Sequence, residues 1–158
     1  MTFLKGFKYA FCGIIHCIKN ERNMRVHTVA ALYVLVFARF FDFSLRDYVL
    51  LLLTIGGVIA AEAINTSIEA LCDRVCPERD SMIRTAKDAA AGAVLILAAF
   101  AAVIGVIMFS SPEGWKRVYD HFLCDPSGAC LLFAMTFLSA LFIVFPRRKK
   151  KRKEDKSE

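Results

Sequence analysis

Between Ala89 and Phe109 the chain carries no charged residue and no polar side chain. At ~1.5 Å per helical residue this run reaches about the ~30 Å of a bilayer's hydrocarbon core. Three further apolar stretches accompany it, roughly 27–43, 48–72 and 128–145. The 158 residues are 57% hydrophobic, with mean hydropathy +0.49. A soluble chain of this length keeps much of its surface in water and has no place for so much apolar surface. The expected class is therefore an all-α integral membrane protein.

Ahead of the first span, residues 3–19 read as an amphipathic helix. At about 100° per residue, Phe3, Phe7, Ala10, Phe11, Ile14 and Ile18 share one face, with Lys5, Lys8, His16 and Lys19 elsewhere. An apolar face bordered by lysines suits a helix lying in the membrane interface. Lys5 and Lys8 interrupt the apolar run and no small-residue cleavage site follows, so no cleaved signal is expected. The polar run 20–25 is expected to break the chain before the first span.

The positive charges alternate. Lys and Arg number five over 1–27, two around the first turn, four over 74–87, two in the 110–127 connection and eight from Arg147 onward. The positive-inside rule puts the N-terminus, the 74–87 loop and the tail in the cytoplasm. Four crossings require the same parity. The expected architecture is a surface helix (3–19), core spans at 27–43, 48–72 and 89–109, an outer connection at 110–127, a fourth C-terminal span at 128–145 and a basic cytoplasmic tail at 146–158. That tail reads as a topology anchor attracted to anionic lipid, with no nucleic-acid partner expected. The six cysteines lack zinc or disulfide spacing and read as small apolar fillers.

Chemistry concentrates on the second span. Glu62, Asn65, Glu69 and Asp73 lie at i, i+3, i+7 and i+11, within an arc of about 80° and over roughly 16 Å of helix. Carboxylates at membrane depth are costly and are functional candidates by default. Facing the bundle interior, Glu62 is a candidate general base. Lys87-Asp88 is expected to open the third span. A cation at a helix N-terminus opposes the local dipole, which marks Lys87 as a candidate phosphate partner. Ala89 to Ala93, Ala91 among them, are small enough to let helices approach and to leave room for a ligand beside the stripe. Glu21 and Glu69 offer the hard oxygen ligands that Mg²⁺ takes. Metal, cation and base are the parts that phosphoryl transfer needs. There is no Gly-x4-Gly-Lys-Ser/Thr loop and no protein-kinase signature set.

The pattern Glu62-x2-Asn65-Thr66-x-Ile68-Glu69-x3-Asp73, followed by Lys87-Asp88-x-Ala90-Ala91-Gly92, resembles the signature of the prokaryotic diacylglycerol kinase family. Glu21-Arg22-Asn23-x-Arg25-x-His27 resembles the upstream block of its undecaprenol kinase branch. The resemblance covers about residues 3–109. It implies a homotrimer of three-span subunits that uses MgATP to phosphorylate a lipid alcohol at the bacterial cytoplasmic membrane. It implies Glu62 as catalytic base and Glu21 and Glu69 as metal ligands. Tyr9, Glu21, Glu69, Glu78, Arg79, Asp80, Lys87 and Asp88 would meet ATP. Glu62, Asn65, Asp73 and Ala91 would meet the lipid substrate. Undecaprenol is favoured over diacylglycerol by the 21–27 block and the 87–92 variant. The fourth span and basic tail lie beyond this core.

Two other classes fit parts of the pattern. A proton-coupled transporter also uses intramembrane carboxylates, but it predicts paired repeats or a second broken helix. A membrane scaffold acting through its polybasic tail predicts that Glu62 is dispensable.

Overall fold

The computed structural model describes residues 3–75 and 80–145, and within them the chain is helical with no strand. Its elements are α1 (Phe3–Asn20), α2 (Arg22–Ala38), α3 (Leu45–Val75), α4 (Ser81–Met108), α5 (Pro112–Tyr119), a π-helical turn (Asp120–Cys124) and α6 (Pro126–Val144).

The α1–α2 joint is tighter than the polar run suggests. One extended residue, Glu21, separates the helices, and its amide still donates to the Cys17 carbonyl at 2.9 Å. Arg22 to Arg25, expected as a break, form the first turn of α2. Asn20 closes α1 by donating from its side chain to the His16 carbonyl at 2.9 Å. The Glu21 carboxylate makes no capping hydrogen bond to α2.

The helix covering most of the expected first span, 27–43, is α2, shifted toward the N-terminus; at 17 residues it is not among the helices long and apolar enough to cross a membrane. α2 stops at Ala38, where the chain tightens into i→i−3 hydrogen bonds from Arg39, Phe40 and Phe41. That turn is fixed by tertiary contacts. Arg117 on α5 donates to the Phe40 carbonyl at 3.2 Å and grips the Asp42 carboxylate with both terminal nitrogens, at 2.8 and 2.6 Å. A reciprocal cap then starts α3. The Ser44 amide donates to Asp47 Oδ2 at 2.8 Å, and the Asp47 amide donates back to Ser44 Oγ at 3.4 Å.

α4 begins eight residues before the expected 89, at Ser81. Asp80 is its N-cap, accepting from the Met82 and Ile83 amides at 2.7 and 3.2 Å. Residues 81–85, expected as a solvated loop, are therefore exposed helix.

Two sets of contacts define the ends of the bundle. At one end Asp73 of α3 pairs with Lys87 of α4, and Arg25 of α2 donates to the Phe145 carbonyl just beyond α6. At the other, Phe41 and Phe43 pack against Phe109, and Phe37 packs on Trp115 and Phe122. Hence α2 and α4 run from the first end to the second, and α3 and α6 run back. The chain beyond α4 re-crosses alongside α2.

The far-end aromatic cluster anchors that return. Phe122, in the π-helical turn, is 2% exposed and sits between Phe37 and Phe40. Gly128 opens α6 where its backbone meets this turn. A Cβ there would overlap the His121 carbonyl oxygen, so only glycine permits the approach. Asp125 caps α6 and Pro126 occupies its first turn.

Among the described residues α3, α4 and α6 are long and apolar enough to span a membrane. The rest of the chain buries 6% of the most apolar window of α4, and 6% of that of α6. Apolar faces left this open belong against lipid or further protein, not water. α1 is likewise exposed from Phe3 to His16, with Cys17 buried and Ile18 and Asn20 half-buried at its end. Its apolar face has no partner within the chain along most of its length, as an interfacial helix requires.

Candidate active site

The predicted stripe on α3 grades from buried to exposed. Glu62 is 2% exposed and Asn65 5%; Glu69 is half-buried and Asp73 exposed. The order follows the helix as it climbs out of the bundle. Asn65 Nδ2 donates to Glu69 Oε1 at 3.2 Å, which orients both side chains. Buried Oδ1 of Asn65 and Oε2 of Glu62 have no partner among the described residues. Buried polar atoms are almost always hydrogen-bonded, so two orphans on adjacent turns mark a place prepared for an incoming donor or cation.

The short α1–α2 joint brings a second set of groups to the same carboxylate. Glu62 has Glu21, Asn23 and His27 as polar or charged neighbours from the α2 side, and Glu69 from its own helix. Cys17 at the end of α1 is close enough to feel both Glu21 and Glu62. Glu21 is freed for this position because it does not cap α2.

Lys87 continues the array. It pairs with Asp73 and has Glu69 as a further charged neighbour. Since α4 begins at Ser81, Lys87 lies in the helix body and not at its N-terminus. The expected opposition to the helix dipole is absent. What holds Lys87 is the α3 carboxylate opposite it.

Other predicted residues stand apart. Asp80 is engaged as the α4 cap. Asp88 faces Arg84 at 3.7 Å on an exposed surface. Ala91 is exposed. Tyr9 is 59% exposed, about two helical turns before the part of α1 that approaches Glu62. Glu78 and Arg79 lie outside the described residues. Asn23 and His27 were not among the predicted site residues. Their i, i+4 spacing puts both on one face of α2, and that signal was available in the sequence.

Among the described residues no group of three or more His, Cys, Asp and Glu side chains is arranged to hold a metal. Glu21 and Glu69 nevertheless fit the habit of Mg²⁺, which takes one or two carboxylates and completes its shell with phosphate oxygens and water. The unpartnered Asn65 Oδ1 adds a hard neutral oxygen beside them.

Below Glu62 an apolar cavity of about 250 Å³ opens between α2, α3 and α4. His27, Val58 and Ile59 border its upper part, and Leu51 and Gly105 its lower part. A second hollow toward Phe109 and Trp115 shares Val34, Ala102 and Gly105 with it. Val58 and Ile59 of the first cavity lie one helical turn before Glu62 on α3, and Phe109 and Trp115 place the second near the far end.

A profile of the prokaryotic diacylglycerol kinase family matches residues 8–109. The chain is 36% identical over 107 residues to an undecaprenol kinase of Bacillus subtilis, covering 68% of this chain and 87% of that one. It is 32% identical over 112 residues to a diacylglycerol kinase of Synechocystis, covering 70% of this chain and 64% of that one. It is 32% identical over 111 residues to the diacylglycerol kinase of Escherichia coli K12, covering 70% and 91%. No solved structure matches the chain at a significant level. The π-helical turn and α6 lie beyond the matched region. The transporter and scaffold readings give way to this relationship. With its helical membrane architecture and its match across residues 8–109, the chain belongs to the prokaryotic diacylglycerol kinase family and is a membrane lipid kinase.

Proposed function

We propose that the protein transfers the γ-phosphate of MgATP to the hydroxyl of undecaprenol, at the cytoplasmic face of a bacterial inner membrane. The observation that carries this reading is the buried Glu62 carboxylate, with one oxygen unpartnered among the described residues, one helical turn from Val58 and Ile59 of an apolar cavity. A lipid alcohol lying in that cavity would bring its hydroxyl toward that oxygen. Glu62 then accepts the proton as the hydroxyl oxygen bonds to the γ-phosphorus and the bond to the β-phosphate oxygen breaks, releasing ADP. Asn65, held by Glu69, orients the hydroxyl or a phosphate oxygen through its free Oδ1 side. Lys87 faces the transferring phosphoryl group and offsets its charge.

Glu21 and Glu69 would hold Mg²⁺, which when bound neutralises charge on the β- and γ-phosphates. Tyr9, Asp80, Asp88 and the 78–79 segment are assigned to the nucleotide by family resemblance. So is the homotrimer, which accords with apolar faces on α3 and α4 that the single chain leaves open. α6 ends, and α1 meets α2, at the Glu62 end of the bundle; the lysines of α1 and the basic sequence that follows α6 support a cytoplasmic site.

Diacylglycerol is the second reading, since relatives of 32% identity carry that activity in their names. Undecaprenol is favoured because the undecaprenol kinase relative is 36% identical, against 32% for these diacylglycerol kinases. Purified protein offered both alcohols with labelled ATP separates the two. Faster labelling of undecaprenol supports the proposal; faster labelling of diacylglycerol moves the assignment to the second reading.

A further inference from the structure

Arg25 is the buried cation of the bundle that the proposed chemistry leaves unused. It is 5% exposed, and its Nε has no hydrogen-bond partner among the described residues. Nη1 reaches the Phe145 carbonyl at 3.4 Å, a long contact. Among the described residues no carboxylate lies within ion-pair distance of it. A buried guanidinium without an anion is strongly disfavoured unless something supplies one.

Arg25 borders a cavity of about 300 Å³ that shares no lining residue with the cavity between α2, α3 and α4. Its walls are Ile15 and Ile18 of α1, and Phe142 and Phe145 from α6 and its end. Lys19 supplies a second cation. The cavity lies where the interfacial helix α1 meets the ends of α2 and α6, at headgroup depth in the topology above. Apolar walls with two converging cations are what an anionic headgroup on an acyl chain requires. Guanidinium binds phosphate oxygens through paired N–H donors.

We infer that the Arg25–Lys19 cavity, closed on one side by α6, is a binding site for the phosphate headgroup of an anionic membrane lipid, distinct from the kinase site. Arg25 and Lys19 grip the phosphate, and Ile15, Ile18 and Phe142 flank the upper chain. Because α6 forms one wall, the site uses a helix that lies outside the family-matched region.

The test uses the full chain in nanodiscs and reads stability and retained lipid, not turnover. Wild type and the variants Arg25→Met and Lys19→Gln are each placed in phosphatidylcholine alone or with added phosphatidylglycerol. The polybasic tail is the same in all of them, so differences isolate the cavity. The anionic lipid should raise the wild-type melting temperature by at least about 3 °C, as ligand linkage predicts. In Arg25→Met the rise should be largely lost, together with one tightly retained anionic lipid seen by native mass spectrometry. Lys19→Gln should lose part of it. In neutral lipid Arg25→Met should be no less stable than wild type, since an unpaired buried charge has gone. If Arg25 merely caps α6, Arg25→Met is destabilised equally in both lipids, and that result overturns the inference. Equal protection of wild type by inorganic phosphate in neutral nanodiscs would also overturn it, by removing the lipid.

Discussion

Asn65 donates to Glu69 at 3.2 Å while its own carbonyl oxygen stays buried and unpartnered. Asn65 sits one helical turn and Glu69 two turns from Glu62, whose Oε2 likewise has no partner among the described residues. A purely structural polar seam would satisfy these atoms, because an unsatisfied buried group costs ~1–3 kcal/mol. The arrangement is a site held ready for something that arrives.

Replacing Glu62 with Gln keeps the shape and removes the proposed proton acceptor. Lipid phosphorylation should fall by about 10²–10⁴-fold, the usual worth of general-base catalysis. The thermal transition should stay near that of wild type. Initial rates with labelled ATP, together with a melting curve on the same preparation, check both halves.

Glu69→Gln retains a hydrogen-bond acceptor for Asn65 and removes a charge suited to Mg²⁺. The half-saturating Mg²⁺ concentration should rise by roughly tenfold or more, judging by typical costs of altered metal sites. A Mg²⁺ titration of turnover reads this. An unchanged curve would remove Glu69 from the metal shell.

Lys87→Met takes away the cation proposed to face the transferring phosphoryl group. Turnover should drop by about 10²-fold or more, in line with loss of one electrostatic stabiliser. Asp73→Asn leaves Lys87 in place but unpaired. With Asp73 exposed and Lys87 half-buried, the pair adds little to folding, so Asp73→Asn should leave the melting temperature nearly unchanged. Comparing kcat and melting temperature for the two variants tests the division of labour.

At the far end, Arg117 holds the Asp42 carboxyl below the usual carboxylate range, by hydrogen bonding first and by its charge second. A depressed folded-state pKa contributes stability above the unfolded value of about 3.9, and that contribution is lost as pH falls through the folded value. Acidification below about pH 4 should therefore loosen α5 from the α2–α3 turn. Asp42→Asn should flatten this part of the acid limb. Proteolysis of the 110–127 segment as a function of pH measures it.

Gly128→Ala forces a methyl group onto the His121 carbonyl. Overpacking of this kind costs ~1–3 kcal/mol. The variant should melt lower and be cut faster by protease at the 120–125 turn, while α3 and α4 keep their contacts.

Much of this was legible in the sequence, because the dominant forces act at fixed spacings. The uninterrupted apolar run of α4 and the 3.6-residue recurrence of Glu62, Asn65 and Glu69 need no tertiary information. The helix ends were harder. α2 ends at Ala38 because Arg117, distant in sequence, grips Phe40 and Asp42, and no local signal reports that. The early start of α4 was readable, since Asp80 two residues before Met82 is an ordinary N-cap, but the polar character of 81–85 suggested a loop. Asn23 and His27 were visible as an i, i+4 pair. Their approach to Glu62 depends on the one-residue joint at Glu21. The dipole argument for Lys87 fell with the helix start on which it rested.

The most direct measurement is transfer of label from γ-labelled ATP to lipid by the purified full chain and its Glu62→Gln variant. Both are assayed in vesicles containing Mg²⁺ and undecaprenol, with a parallel diacylglycerol series. Labelled undecaprenyl phosphate should form with wild type, stop when Mg²⁺ is chelated and nearly vanish in the variant. Equal labelling by both proteins, or labelling that persists without Mg²⁺, would contradict a Glu62-centred, metal-dependent kinase.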